Sequence, residues 1–412
     1  MQKSAVLTLS GLLFPLALVL FEFSVYIAND MIQPGMLSVV HEFGADASWV
    51  PSAMTAFLLG GALLPWLMGP LSDHIGRRPV MLGGVAFFIV SCLATLFTRD
   101  IASFMLLRVL QGMGLCFISA VGYAAIQEAY EENTAVKVTA LMANVALIAP
   151  LVGPVAGAAL IEVWPWRVSF VLIAACASLS FVGLLLAMPE TVTKCSAPLR
   201  LAQVGRDYRA VLTNRRFVAS TLCIPLLALP LLGWIALSPV MLIEHAGMSV
   251  IAYGLWQIPV FCSLIAGNLL LVKFADHWPL GHSIKVGRVP QLLGVLVMVF
   301  GALFSSVPHY YLIAGMCLLS LGEGLAFAVL YRFALTASEV GKGAVAACMT
   351  MVSLLVYALG VEALKKAYLL GGFAGFALLS LLFAAMFQVL SLRTVGAAMA
   401  DRAREPAPQQ AT

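Results

Sequence analysis

The sequence predicts an all-α integral membrane protein in which twelve transmembrane helices form two six-helix bundles. Three observations carry this expectation. The 412 residues are 62% hydrophobic and only 10% charged, against roughly 45–50% apolar and about 25% charged in soluble domains. Twelve apolar windows each approach the ~20 residues that a spanning helix needs, and one polar stretch divides them six and six. The net charge of +4 comes from lysines and arginines gathered in a few loops. That pattern reports topology and contact with lipid headgroups, and no basic stripe points to nucleic acid.

The first window, about residues 9–32, carries Glu22 and Asp30. A charge at the centre of a spanning helix costs roughly 2.5–3.5 kcal/mol on insertion scales, so these acids need a reason. At 100° per residue, Glu22, Tyr26, Asn29, Asp30 and Gln33 share an arc of roughly 100°. Such a face lines a cavity or a seam between helices, where the acids either exchange protons with a transport path or serve as structural glue. An interior glutamate and the lack of a following small-residue cleavage site mark this window as a retained helix, not a signal peptide.

The second window, 48–69, leads into the loop "GPLSDHIGRRPV" from Gly69 to Val80. Gly69 and Gly76 permit tight turns and close backbone approach, Asp73 can meet a helix N-terminus or an arginine, and Arg77 and Arg78 anchor the cytoplasmic side. The third window covers 80–98 and the fourth 101–124, where Arg108 sits in "LLRVLQG". Arginine stays protonated, so Arg108 needs a carboxylate, backbone carbonyls or Gln111 unless it snorkels to the cytoplasmic surface. The fifth window, 137–160, holds "APLVGPVAGA", whose Gly153 and Gly157 allow close helix packing and whose Pro154 favours a kink. The sixth is 166–188, and residues 189–214 form the polar linker.

The second half repeats the pattern at 215–242, 250–272, 289–306, 309–335, 343–364 and 367–392. Glu323, between Gly322 and Gly324 in the tenth window, is either a proton or cation site or an acid solvated by an aqueous cavity. Glu362 precedes Lys365 and Lys366 by three and four positions, the spacing of a local helix ion pair. A faint duplication supports two halves: "LSDH" at Leu71–His74 and "FADH" at Phe274–His277 occupy equivalent loops. The expected divisions are a first bundle over 1–188, a cytoplasmic linker over 189–214, a second bundle over 215–395 and a disordered tail over 396–412. Lysine and arginine placement favours both termini in the cytoplasm. Seven of the eight cysteines lie in apolar windows without a CxxC pair and read as small buried hydrophobes. No phosphate loop, HExxH pattern or sizeable soluble domain is present, so the chain is not expected to be an enzyme or an ATP-driven pump, nor to hold a metal or cofactor. Its energy would come from an ion gradient.

The Gly69–Val80 loop resembles the cytoplasmic signature between helices two and three of the major facilitator superfamily, with His74 in place of the usual basic residue. "APLVGPVAGA" is similar to the antiporter signature of its drug-exporting branches, with Ala149 and Ala158 where glycine is common. The runs "FEFSVYIANDMIQPGML", "LLRVLQG", "AVGYAAIQE" and "ALMANVALIAPLVGP", with "GWIALSP", "YGLWQIP" and "AGNLLL" in the second half, closely resemble the MdfA, Cmr and CraA group of bacterial multidrug/proton antiporters. The resemblance implies the major facilitator fold, a central cavity open alternately to each side, and exchange of protons for lipophilic drugs. It assigns the proton and drug acids to Glu22 and Asp30, the intramembrane arginine to Arg108 and the loop aspartate to Asp73. Pocket residues carried with it are Tyr26, Asn29, Asp30, Met54, Met142, Asn144, Ala146, Trp234, Ile235 and Gln257. The conformational gate comprises Gly69, Asp73, Gly76, Arg77, Arg78, Gly153, Pro154 and Gly157. The function so implied is efflux of neutral, chloramphenicol-like and cationic lipophilic compounds, with consequent antibiotic resistance, by a monomer in the bacterial inner membrane. The alternative is a proton-coupled carrier for one metabolite or sugar, with drug efflux as a side activity.

Overall fold

The computed structural model describes residues 12–192, 201–275, 277–279, 281–338 and 340–402. Among them the chain is almost wholly helical and no strand occurs. Helix α1 (Leu13–Asp30) passes through a 3₁₀ turn at Gln33–Gly35 into α2 (Met36–Glu42), giving one 30-residue span. Helices α3 (Trp49–Leu63) and α4 (Pro65–Ile75) form a second span bent by 43°. Pro65 opens α4, and proline lacks the amide hydrogen needed to continue the preceding ladder. Next come α5 (Arg77–Ala94) and a fourth span built of α6 (Ile101–Gly112), α7 (Gly114–Phe117), a π turn over Ile118–Gly122 and α8 (Tyr123–Ala129). Asp100 caps α6 by accepting the Ser103 amide at 2.8 Å, and that bond holds its carboxyl below the usual carboxylate range. Helices α9 (Glu132–Val163) and α10 (Arg167–Ala187) complete the first six spans.

The polar stretch after α10 contains a further helix, α11 (Leu201–Thr213), which forms no apolar window because its hydrophobic residues occupy one face. Val211 from that face is fully buried among residues of the second half. Helix α12 (Arg215–Ser238) starts at Asn214, whose side chain accepts the Arg216 and Phe217 amides, and runs into a π turn over Pro239–His245. Helices α13 (Val250–Phe274), α14 (His282–Phe304) and α15 (Pro308–Leu335) follow, and α16 (Lys342–Arg402) closes the chain. The 61 residues of α16 are broken at Gly372, which adopts φ 55° and ψ −142°, a conformation open chiefly to glycine. The helix continues to Arg402, beyond the expected boundary at 395; residues 403–412 of the expected tail lie outside the described residues.

Among the described residues nine helices are long and apolar enough to cross a membrane, or ten with the bent α3–α4 pair. Since the apolar part of α16 alone is 52 residues with a break at Gly372, and α9 is 32 residues long, the architecture is consistent with twelve spans. Glycines set the closest approaches. A Cβ on Gly60 of α3 would lie 1.9 Å from the Val109 carbonyl oxygen, and one on Gly112 of α6 would lie 1.8 Å from that of Phe57. Gly294 of α14 and Gly315 of α15 meet each other's carbonyls at 2.4 Å in the same sense. Leucines and valines such as Leu186, Val272 and Leu370 are largely exposed on the outside, as a lipid-facing surface requires.

Candidate functional site

The polar face of α1 points inward. Glu22 is 1% exposed and Asp30 4%. Glu22 accepts the Tyr123 hydroxyl at 3.0 Å through Oε1, while its Oε2 has no partner among the described residues. Asp30 accepts the Asn29 side-chain amide at 3.1 Å, and Gln33 donates back to the Asn29 carbonyl at 3.1 Å. Tyr26, between the two acids, is half-buried and lies within electrostatic range of both.

Arg108 is 0% exposed, so it does not snorkel. Its Nη1 donates to the Ala28 carbonyl at 3.0 Å and to Gln111 Oε1 at 2.9 Å, and its Nη2 donates to Asn29 Oδ1 at 3.0 Å. Its guanidinium stacks over Phe57 at 4.8 Å. Gln111 is itself held by Thr95 Oγ1 at 2.8 Å and the Ser91 carbonyl at 3.3 Å. Arg108 is within electrostatic range of Asp30, but its contact with the acid runs through Asn29. Because arginine only donates, Asn29 must turn its oxygen to Arg108 and its amide to Asp30. Asp30 is thereby oriented by a fixed neutral relay.

Helix α9 closes on the same spot. A Cβ on Gly153 would lie 2.6 Å from Asp30 Cβ, and one on Gly157 would lie 2.0 Å from the Met31 carbonyl oxygen. The small residues of the signature therefore let α9 touch the backbone that carries Asp30. Pro154 sits within α9, which stays helical through it, and its carbonyl lies against Gly254 of α13. From the second half, Trp234 Nε1 donates to Gln257 Oε1 at 2.8 Å, and Gln257 Nε2 donates to Ser238 Oγ at 3.2 Å. Met54, Met142, Trp234, Ile235 and Gln257 are all buried. The side chains of Asn144 and Ala146 lie outside the described residues.

The gate loop departs from expectation at one glycine. Gly69 lies inside α4 and a Cβ there would meet open space, so it makes neither a turn nor a close approach. Gly76 does both: its φ is 110°, and a Cβ would lie 2.4 Å from Glu190 Oε2. Arg77 pairs with Asp73 at 2.5 Å and with Glu128 at 2.8 Å, while Glu190 accepts the Arg77 and Arg78 amides at 2.9 and 3.3 Å. Arg78 Nη2 also donates to the Leu185 carbonyl at 2.7 Å. Glu128, Glu190 and Tyr123 were missed because pairing across 50 or more residues leaves no periodic signal; an acid at each helix end was the only hint. Ser52 was missed likewise. Its hydroxyl donates to Glu362 Oε1 at 2.9 Å and accepts from Lys365 Nζ at 2.8 Å, so the expected Glu362–Lys365 pair also bridges α3 to α16.

A bent second span, a glycine-linked α1–α9 seam and an arginine-braced loop belong to a polytopic bundle of membrane-spanning helices with buried charge, and the comparisons define its class as a transporter. The chain belongs to the Major Facilitator Superfamily, whose profile matches residues 18–361. Within it the chain groups with MdfA. It is 53% identical over 372 residues to Multidrug transporter MdfA of Yersinia pestis bv. Antiqua (strain Angola), covering 90% of this chain and 91% of that protein. It is 54% identical over 362 residues to Multidrug transporter MdfA of Escherichia coli O6:H1 (strain CFT073), covering 88% of each. Among solved structures, a D-xylose-proton symporter superposes with a TM-score of 0.74 at 14% identity, covering 93% of this chain and 96% of that one. At that identity the likeness is one of fold. The chain is a multi-pass membrane transporter and not an enzyme.

Proposed function

We propose that this chain is a proton-coupled multidrug antiporter that exports neutral, chloramphenicol-like and cationic lipophilic compounds by alternating access. The observation that carries the reading is the α1 face, where Asp30 is tied to Arg108 through Asn29 and Glu22 keeps one oxygen free beside Tyr26. The MdfA relatives support multidrug transport, and the buried acids support the proton as counter-ion. Protonated Asp30 is neutral and can remain buried; a drug that bonds to or pairs with the carboxylate favours its ionised form and releases the proton. Glu22 adds attraction for cations. No cofactor is needed, since the proton gradient supplies the energy. The Gly69–Arg78 loop and the Gly153–Gly157 seam act as gates, and the protein works as a monomer in the bacterial inner membrane with both termini in the cytoplasm.

The test is uptake of labelled neutral drug into inverted vesicles with an imposed pH gradient, which is then collapsed. Accumulation that follows the gradient is expected. Accumulation indifferent to the gradient overturns proton coupling, and failure across a panel of unrelated drugs overturns the substrate range.

A further inference from the structure

The seam between the start of α14 and the end of α16 carries three cations that belong neither to the α1 site nor to the gate loop. Arg288, in the second turn of α14, is half-buried, and its Nε donates to Gln388 Oε1 of α16. Gln388 is fixed in turn: its Nε2 donates to the Arg288 carbonyl at 3.2 Å and to Gln291 Oε1 at 3.1 Å. One edge of the guanidinium is thus tied down, and its Nη1 and Nη2 have no partner among the described residues. Lys285 on α14 and Arg393 on α16 are exposed and make no ion pair among the described residues. Each of them heads an apolar stripe. Lys285, Val289, Leu292 and Leu296 recur at the spacing of one helix face, as do Arg393, Val389, Met386 and Leu382, and the apolar members are all exposed. At 1.5 Å per residue, Lys285 stands about 4.5 Å and Arg393 about 7.5 Å nearer the bundle end than the Arg288–Gln388 bond. An aromatic stack marks the membrane boundary there, with Trp278 between Phe274 and His282 at centroid distances of 5.0 and 5.3 Å, since tryptophan settles at headgroup level.

We infer that this seam binds one anionic phospholipid, its phosphate taken by the free Nη groups of Arg288 with Lys285 and Arg393 to either side, and its acyl chains laid along the two apolar stripes. The site goes beyond the multidrug reading and does not depend on it; the proposed orientation serves only to name the leaflet, the cytoplasmic one. Arginine keeps its charge, and its planar fork matches a phosphate. A free arginine at this depth would snorkel to water, but the bond to Gln388 holds the Arg288 side chain against α16. Its partner must therefore come to it. A basic pocket between spanning helices at the cytoplasmic end suits an anionic headgroup. A zwitterionic lipid brings an ammonium to the same place, where three cations meet it and no described carboxylate pairs with any of them. Charge selects the anionic lipid.

The experiment follows lipid binding to the delipidated full chain in non-ionic detergent by native mass spectrometry, with dioleoyl phosphatidylglycerol and dioleoyl phosphatidylcholine as probes. The first phosphatidylglycerol should bind roughly tenfold more tightly than the first phosphatidylcholine, equivalent to about 1.4 kcal/mol. Arg288→Gln should bring the ratio to within about twofold, whereas Arg288→Lys, which keeps the charge and loses the fork, should retain roughly threefold. Arg332→Gln removes an exposed arginine at the same end of the bundle and should leave the ratio as in the parent. Equal affinity for the two lipids in the unsubstituted protein, a ratio that survives Arg288→Gln, or an equal loss in Arg332→Gln overturns the site. Should Arg288→Gln fail to fold, phosphatidylglycerol with a photoreactive acyl chain decides on the unsubstituted protein. Cross-links concentrated on residues 285–296 and 382–393 support the seam, and cross-links spread evenly over the lipid-facing helices overturn it.

Discussion

The two halves of the molecule hold buried charge in opposite ways. In the first half Arg108 satisfies three acceptors, fixes Asn29 and through it positions Asp30. In the second half Glu323 sits between two tightly packed glycines with no partner for its Oε2 among the described residues. The difference follows from chemistry. Arginine cannot shed its charge and must be surrounded by acceptors, whereas a carboxylate can take a proton and wait. The first half is thus a rigid cradle around one buried acid, and the second holds an acid whose Oε2 no described residue engages.

The strongest way to break this comparison is Asp30→Asn. The cradle stays, since Asn29 and Arg108 keep their bonds, but no proton can be exchanged. Uphill export of every substrate should stop, and drug addition to unbuffered purified protein should release far less acid than in the parent. Full uphill transport by the variant would remove Asp30 from the mechanism. Glu323→Gln should leave uphill export of neutral drugs intact in the same assay.

Stability separates the halves next. Arg108→Ala strips donors from the Ala28 carbonyl, Asn29 and Gln111. At about 0.6 kcal/mol for each hydrogen bond within a membrane protein, the loss is about 2 kcal/mol, read as a lowered unfolding midpoint in detergent. Glu323→Gln removes no bond to the protein and should stay within about 0.5 kcal/mol of the parent. Equal destabilisation by both would show that Glu323 has a structural partner after all.

Much of the first half was legible in the sequence because its signals are local. Glu22, Tyr26, Asn29, Asp30 and Gln33 announce a polar face by period alone, and Arg108 announces a need for acceptors by being where it is. What could not be read were partners fixed by tertiary approach: Tyr123 for Glu22, Glu128 and Glu190 for Arg77, and Ser52 for Glu362. Helix α11 leaves no apolar window in the sequence because its apolar residues form one stripe. Gly69 was overread, since its place in a loop-like string gave no sign that α4 runs through it.

The glycines sharpen the contrast between a seam and a surface. Gly157→Ala would place a methyl 2.0 Å from the Met31 carbonyl oxygen, and Gly153→Ala would meet Asp30 Cβ at 2.6 Å. Either forces α9 away from α1 at about 1–3 kcal/mol of overpacking, enough to slow transport roughly tenfold at 1.4 kcal/mol per decade. Gly69→Ala meets nothing and should transport drug like the parent. The comparison is made by turnover in proteoliposomes at matched protein content, and a slow Gly69→Ala beside a normal Gly157→Ala would reverse the assignment.

The smallest effect is expected where the halves meet at Ser52. Here α3 of the first half and α16 of the second share one hydroxyl between Glu362 and Lys365, whereas Arg77 bonds to Asp73 and Glu128 within its own half and to Glu190 just beyond α10. Ser52→Ala removes both cross-half bonds and leaves the Glu362–Lys365 pair on α16 intact. A partly exposed hydrogen bond contributes about 0.5–1.5 kcal/mol, so the balance between closed and open arrangements of this end should move toward open by a few-fold. Spin labels on the adjoining ends of α3 and α16 report it as a larger long-distance population in Ser52→Ala, with Ser52→Thr restoring the parent distribution. An unchanged distribution in Ser52→Ala would mean that this end is held by apolar packing alone, and that the polar bridge contributes nothing to closure.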